Sequence, residues 1–174
     1  MNCPTGCSCY HDDTWATNIV DCSARGHNQL PHDIPMDATV VYMDANEMNI
    51  LDAHHLIGRK NVRKLFLNES KIESIQNRTF HGLSSLKELH LQDNYLANLQ
   101  GYEFEFLEHL HFLNLQRNRL KSINNGTFSG LRSLEVLLLQ GNFIVDFPVW
   151  NLKMNKGLQQ IGLANNMWSC DCRY

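Results

Sequence analysis

The sequence predicts an α/β-type solenoid: a curved right-handed coil with a parallel β-sheet on its concave side. Its convex side is expected to be irregular or briefly helical, and its amino end to carry a disulfide-stapled cap. Three observations carry this expectation. One motif recurs six times at a spacing of 24 residues. Apolar and variable residues alternate at the head of each copy. The cysteines gather in two clusters, one at each end of the chain.

The copies are VYMDANEM, LFLNESKI, LHLQDNYL, LNLQRNRL, LLLQGNFI and IGLANNMW, beginning at Val41, Leu65, Leu89, Leu113, Leu137 and Ile161 without insertion or slip. Each is apolar at its first and third positions, as at Leu89 and Leu91, with a variable residue between. That is the pattern of a strand with one buried face. Three residues earlier stand Ala38, Val62, Leu86, Leu110, Leu134 and Leu158. Further apolar positions follow at Met48, Ile72, Leu96, Leu120 and Ile144, then at Leu51, Ile75, Leu99, Ile123 and Phe147. One turn cannot bury residues spread so widely around its coil, whereas stacked turns can.

Asparagine fills the sixth position in five of the six copies: Asn46, Asn94, Asn118, Asn142 and Asn166, with Ser70 as the exception. A buried amide there both donates to and accepts from the backbone where the chain leaves the strand, so the column is expected to form a structural ladder. Phe80, Phe104 and Phe128 recur on the return side, with Leu56 and Leu152 in the same place at the ends. Bulky rings behind strands about 4.8 Å apart make each turn a wedge and bend the stack. The pattern resembles that of the leucine-rich repeats, so the expected fold is a leucine-rich-repeat solenoid.

Composition narrows the function. The chain has 174 residues, 43% of them hydrophobic, with a formal net charge of −3. This suits one folded domain and argues against a dedicated nucleic-acid or anionic-membrane surface. No apolar run approaches the roughly 20 residues of a membrane helix, so no membrane contact is expected of this stretch. No nucleophile–base pair, phosphate loop or metal triad is evident, and His54-His55 lacks a surrounding carboxylate pattern. No catalytic residue, cofactor or metal is therefore expected.

Three regions follow: an amino-terminal cysteine cap over residues 1–37, six repeats over 38–168, and the opening of a carboxyl-terminal cap over 169–174. Ile19-Val20-Asp21-Cys22 reads as a short strand closing the first repeat. Cys3, Cys7, Cys9 and Cys22 allow three pairings. Zinc is the alternative for these cysteines with His11, but C-x3-C-x-C-x12-C lacks the paired knuckles of common zinc modules. Cys170 and Cys172 are too close to form an easy ring with each other, so each is expected to pair with a later cysteine. With Met1-Asn2 leading directly into Cys3, the sequence reads as a piece whose leader and anchor lie outside it. Self-association of a bare carboxyl end is a further expectation.

Three sequons mark candidate glycosylation sites: Asn68-Glu69-Ser70, Asn77-Arg78-Thr79 and Asn125-Gly126-Thr127. Asn77 and Asn125 share one repeat offset on the return side, where sugars would leave the concave sheet free. Asn68 lies near the rim, and Ser70 doubles as its ladder residue.

CPTGCSCYHDDTWATNIVDCS, followed by LPHDIPMDATVVYMDAN, resembles the amino-terminal cap of the membrane-proximal repeat cluster of insect-type Toll receptors. The long paralogues related to 18-wheeler and Tollo are the nearest in pattern. WSCDC agrees with the opening of a terminal cap. The resemblance implies Cys3–Cys9 and Cys7–Cys22 disulfides and an extracellular place in the ectodomain of a single-pass plasma-membrane receptor. It also implies roles in innate immunity and development. Implied partners are a protein ligand, such as a cystine-knot cytokine of the Spätzle type, or another cell-surface ectodomain. The alternative is an adhesion or secreted repeat protein that binds without signalling.

The repeat register also locates the candidate contact surface. Variable strand positions face away from the core, and an apolar group exposed there costs roughly 25 cal/mol per Å². Tyr42, Phe66, His90, Phe112, Val136 and Leu138 are the candidate concave contacts. Packing across neighbouring strands is the structural alternative for the same residues. His90, His109 and His111 come from neighbouring units and suggest an acid-sensitive contact if they gather.

Overall fold

The computed structural model describes residues 2–169. In chain order its strands are β1 (Ser8–Asp12), β2 (Thr17–Asp21), β3 (Val40–Tyr42), β4 (Ile50–Leu51), β5 (Lys64–Phe66) and β6 (Ser74–Ile75). β7 (Glu88–His90), β8 (Asn98–Leu99), β9 (Phe112–Asn114), β10 (Ser122–Ile123), β11 (Val136–Leu138) and β12 (Gln160–Gly162) follow. The main sheet runs β1-β2-β3-β5-β7-β9-β11-β12, parallel except for the antiparallel first pair. Val41, Leu65, Leu89, Leu113, Leu137 and Ile161 lie directly beside one another in it. The fold is a β-solenoid of about six turns.

The core follows the alternation. Val41, Leu65, Leu89, Leu113 and Leu137 are fully buried, as are Met43, Leu67, Leu91, Leu115 and Leu139. Where the chain leaves each strand it bends through a left-handed residue: Ala45, Glu69, Asp93, Arg117, Gly141 and Asn165 all have positive φ. Only one of these is glycine, so the other five carry a cost of about 1–2 kcal/mol each.

The asparagine column holds that bend. The Asn94 amide donates to the carbonyls of Leu67, Leu91 and Gln92, and its Oδ1 accepts from the Ser70 and Ile72 N–H groups at 2.9 and 3.0 Å. Asn46, Asn118, Asn142 and Asn166 bond between turns in the same way. Ser70 is too short to span both donors. Its hydroxyl accepts from the Asn46 N–H, while Met48 N–H turns to the backbone carbonyl of residue 70 at 3.0 Å.

The amino end contains more sheet than the sequence suggested. In place of one short strand there is a hairpin, with β1 covering the edge that β2 would otherwise expose. Its turn is held by Asp12 Oδ1, which accepts from the Thr14 N–H. Disulfides join Cys3 to Cys9 and Cys7 to Cys22, closing the cap on itself, while β2 joins the first turn by pairing with β3.

The return side is mostly irregular, with little helix, within the expectation. Among the described residues it holds one 3-10 helix, Val149–Leu152, and the two-stranded pairs β4–β6 and β8–β10. Elsewhere it proceeds by single turns, such as Leu83 N–H to the Phe80 carbonyl and Leu86 N–H to that of Leu83. Gly82 shows why no helix propagates there. Its φ is +107°, and a Cβ would stand 2.6 Å from the Leu56 carbonyl oxygen. Phe80, Phe104 and Phe128 form the spine, with ring centroids 6.4 and 6.1 Å apart.

Replacing Asn94 with alanine removes both sets of bonds and leaves buried backbone groups without partners, each costing about 1–3 kcal/mol. Asn94→Ala is expected to lower stability by about 2–4 kcal/mol in urea unfolding. A loss below about 1 kcal/mol would show that the ladder does not hold the turns together.

Candidate binding face

The register that buries the leucines places every intervening residue on the opposite face of the sheet. Tyr42, Phe66 and His90 are adjacent in it. Strands about 4.8 Å apart are spaced as stacked rings are. Tyr42 and Phe66 accordingly stack at 4.7 Å, and Phe66 and His90 at 4.3 Å. Phe112 closes the column against His90 at 5.0 Å. All four rings are half-buried, so packing across strands and exposure to solvent occur in the same residues.

Of the charges that border this column, Lys64 and Glu88 are paired, whereas Asp21 and Asp44 lie near Tyr42 without an ion pair among the described residues. Glu88 reaches Lys64 and His90, both at 3.3 Å. Burial holds the His90 imidazole below its usual pKa, against the opposing pull of Glu88. Burial likewise raises the Tyr42 phenol. At the rim, burial raises the Asp44 carboxyl, with Asp21 and Glu69 adding to the shift.

A groove of about 540 Å³ opens at the amino-terminal end of the face. Asp12, Trp15 and Thr17 of the hairpin border it, with Val40, Tyr42, Lys64 and Phe66 from the first two turns. Trp15 is 76% exposed at the hairpin tip. It was absent from the sequence-derived contacts because it lies outside the repeat. The available signal was a tryptophan in a short polar turn, DDTWATN, ahead of an apolar strand.

The carboxyl-terminal half of the candidate face needs correction. Leu138 is only 9% exposed, so it is a packing residue and not a free contact. Its neighbours in register are Asn114, 7% exposed, and Gly162, which has no side chain. The Gln140 amide fills the space that a side chain at residue 162 would occupy. Val136 is half-buried beside Phe112. The histidines do not gather either: His90 lies in the ring column, whereas His109 borders a different groove with His81 and Phe106.

The remaining candidates have structural surroundings. His55 is buried, bonded to the Leu30 carbonyl and stacked on His32 at 4.0 Å. Cys7 and Cys22 lie near His27, but their sulfurs are joined in the disulfide. Asn77 and Asn125 are exposed, whereas Asn68 is half-buried with an enclosed Oδ1 and Ser70 is wholly buried. Cys170 and Cys172 lie outside the described residues.

The "Leucine rich repeat" family model matches residues 38–96 and 84–144, together more than half of the chain. The chain belongs to the leucine-rich-repeat family. It is 51% identical over 65 residues to Toll-like receptor 7 of Drosophila melanogaster, covering 37% of this chain and 4% of that protein. Leucine-rich repeat-containing protein 3 of Bos taurus is 34% identical over 83 residues, 48% of this chain and 32% of that one.

Among solved structures, a chain of the TLR13–ssRNA13 complex superposes with a TM-score of 0.85 at 26% identity, covering 95% of this chain and 23% of that one. A chain of the octameric complex of Latrophilin 3, Unc5D and FLRT2 (LRR) gives 0.77 at 25% identity, covering 83% and 44%. The chain thus spans a minor part of each relative's length. It is an ectodomain-like repeat module related to Toll-like receptors and to cell-surface repeat proteins. These relatives are receptor or binding-type proteins and not enzymes. No helix of the described residues is long and apolar enough to cross a membrane.

The depressed His90 pKa has a consequence for stability. As pH falls below about 6.5 the unfolded chain binds a proton at residue 90 before the folded chain does, so stability is lost on acidification. Its contribution is fully present above that pH and disappears as pH drops through the folded-state pKa. His90→Phe is expected to keep the stack and reduce the fall in melting temperature between about pH 7.5 and pH 5. Equal falls in the two proteins would show that His90 carries none of the acid sensitivity.

Proposed function

We propose that this chain is an extracellular recognition segment of a Toll-like, single-pass plasma-membrane receptor, and that it binds protein through the amino-terminal half of its sheet face. The observation that carries this reading is the half-exposed column Tyr42–Phe66–His90–Phe112 beside the groove under Trp15. Aromatic side chains at the centre of a rigid, concave patch are the groups that dominate protein–protein affinity. The strands and the disulfide-tied hairpin hold these rings in place before any partner arrives, which lowers the ordering cost of binding.

The cap-to-first-repeat pattern and the identity with Drosophila Toll-like receptor 7 support placement among the insect-type Toll receptors. Placement beside the paralogues related to 18-wheeler and Tollo is the finer part of the same proposal. Roles in innate immunity and development accompany it. The partner classes are a cystine-knot cytokine of the Spätzle type or another receptor ectodomain.

RNA is the ligand of one structural neighbour, but the face here is poorly suited to phosphates. Two cations, Arg63 and Lys64, border the groove, but Lys64 is engaged by Glu88 and Asp12 stands opposite, short of the clustered Lys and Arg that phosphates need. Likeness to a chain of the Latrophilin 3, Unc5D and FLRT2 complex supports a second reading, adhesion through another ectodomain without signalling.

The test measures binding of the chain to cystine-knot cytokines, to cell-surface ectodomains and to single-stranded RNA. A cytokine ligand supports the receptor reading, and an ectodomain partner alone supports adhesion. For the protein that binds, Trp15→Ala and Phe66→Ala are expected to weaken affinity about 10- to 100-fold, or roughly 1.4–2.8 kcal/mol. Ile57→Ala, on the return side, is expected to leave it unchanged. Binding of RNA alone, or unchanged protein affinity in both aromatic variants, would overturn the proposal.

A further inference from the structure

Phe106 does not fit the repeat that contains it. The equivalent residues in the neighbouring turns are Gly58, Gly82 and Gly130. Gly58 and Gly82 have left-handed backbones, and so does Phe106, with φ of +73°. A bulky residue in that region is under strain. Burial does not compensate, because Phe106 is 47% exposed. An exposed ring held in a strained conformation where glycine would serve calls for a role outside the core.

The surroundings of the ring indicate what that role is. On one side it stacks on His81 at 4.7 Å. On the other it borders a groove of about 320 Å³ shared with Glu105, Glu108, Ser129 and Arg132. Gly126 and Thr127, the second and third residues of the Asn125 sequon, border the same groove. Thr127 is 3% exposed, and its Oγ1 has no hydrogen-bond partner among the described residues. The equivalent hydroxyl of the other return-side sequon, Thr79, is bonded to the Leu51 and Gln76 carbonyls. Asn125 itself is exposed.

We propose that Asn125 carries an N-linked oligosaccharide whose first sugars lie in this groove against Phe106. The apolar face of an N-acetylglucosamine ring suits the phenyl ring, and its hydroxyl and acetamido groups suit the charged and hydroxyl side chains opposite. In the attachment step, the Asn125 amide nitrogen bonds to sugar C1 of a lipid-pyrophosphate-linked oligosaccharide. The C1–O bond breaks, the lipid pyrophosphate leaves with the bonding electrons, and the nitrogen loses one proton. The glycan becomes a structural part of the back of the coil. This inference rests on the extracellular reading only for the compartment of synthesis and needs no partner on the sheet face.

The test uses chain secreted from eukaryotic cells, with occupancy of Asn125 read by peptide mass mapping. With an isotopically labelled glycan, the first sugar is expected to show upfield ring-current shifts that vanish in Phe106→Gly and persist in Phe106→Tyr. Asn125→Gln is expected to lower the melting temperature by about 2–4 °C in the native background. It is expected to do so in Phe106→Tyr as well, and to have no effect in Phe106→Gly. Asn77→Gln serves as the control, its effect being independent of residue 106. An unoccupied Asn125, unshifted sugar resonances, or an equal Asn125→Gln effect with and without the ring would overturn the proposal. None of these readouts depends on partner binding, so failure here leaves the receptor reading intact.

Discussion

Stacking these turns depends on joining the backbone at a bend that no sheet hydrogen bond reaches, and the asparagine column does this. Each amide donates to carbonyls of its own turn and the preceding one, while its oxygen accepts an N–H from the preceding turn. The left-handed residue just before each asparagine is tolerated because those bonds fix the chain on both sides of it. Ser70 shows that the requirement is geometric and not chemical. A hydroxyl replaces part of the amide's work, and a backbone carbonyl supplies the rest.

The candidate site is a consequence of that constraint. With successive turns in register, a residue between two buried leucines always lies beside its counterpart one turn away. Rings at this position therefore stack at the strand spacing, which explains why Tyr42, Phe66 and His90 are partly buried without belonging to the core. The hairpin adds what the repeat cannot, a wall at one end of the face. β1 pairs with β2, β2 pairs in register with β3, and the two disulfides cross-link the cap that carries the hairpin. Trp15 thus stands on a rigid support although it lies in a loop.

The period made the sheet, the leucine core and the phenylalanine spine legible from sequence, because each role recurs at a fixed offset and a single copy would have meant little. What lay outside the period was harder to read. β1 and Trp15 precede the first repeat and have no counterpart to compare with. The return side was expected to be irregular or briefly helical, and residues such as Gly82, whose close approach to the Leu56 carbonyl is a tertiary fact, decide between the two. Leu138 failed as a contact for a similar reason. Its exposure depends on Asn114, Gly162 and the position of Gln140, not on its own place in the strand. Phe106 was visible as a departure from glycine at one offset, but the groove beside it is formed by two turns together.

The same register separates stability from recognition. At the first strand position the six turns carry Val41, Leu65, Leu89, Leu113, Leu137 and Ile161, nearly uniform in shape, since each must fill the same space. One residue later they carry Tyr42, Phe66, His90, Asn114, Leu138 and Gly162, no two alike. The side chains of Tyr42, Phe66 and His90 take no part in the ladder bonds, whereas Asn114, Leu138 and Gly162 are confined by their neighbours. A substitution at one of those three rings alters the shape, polarity or acid response of the face while leaving the bonds between turns in place. A coil built in this way can change what it binds without changing how it folds, and the aromatic half of its face is where that freedom has been used for the largest apolar side chains.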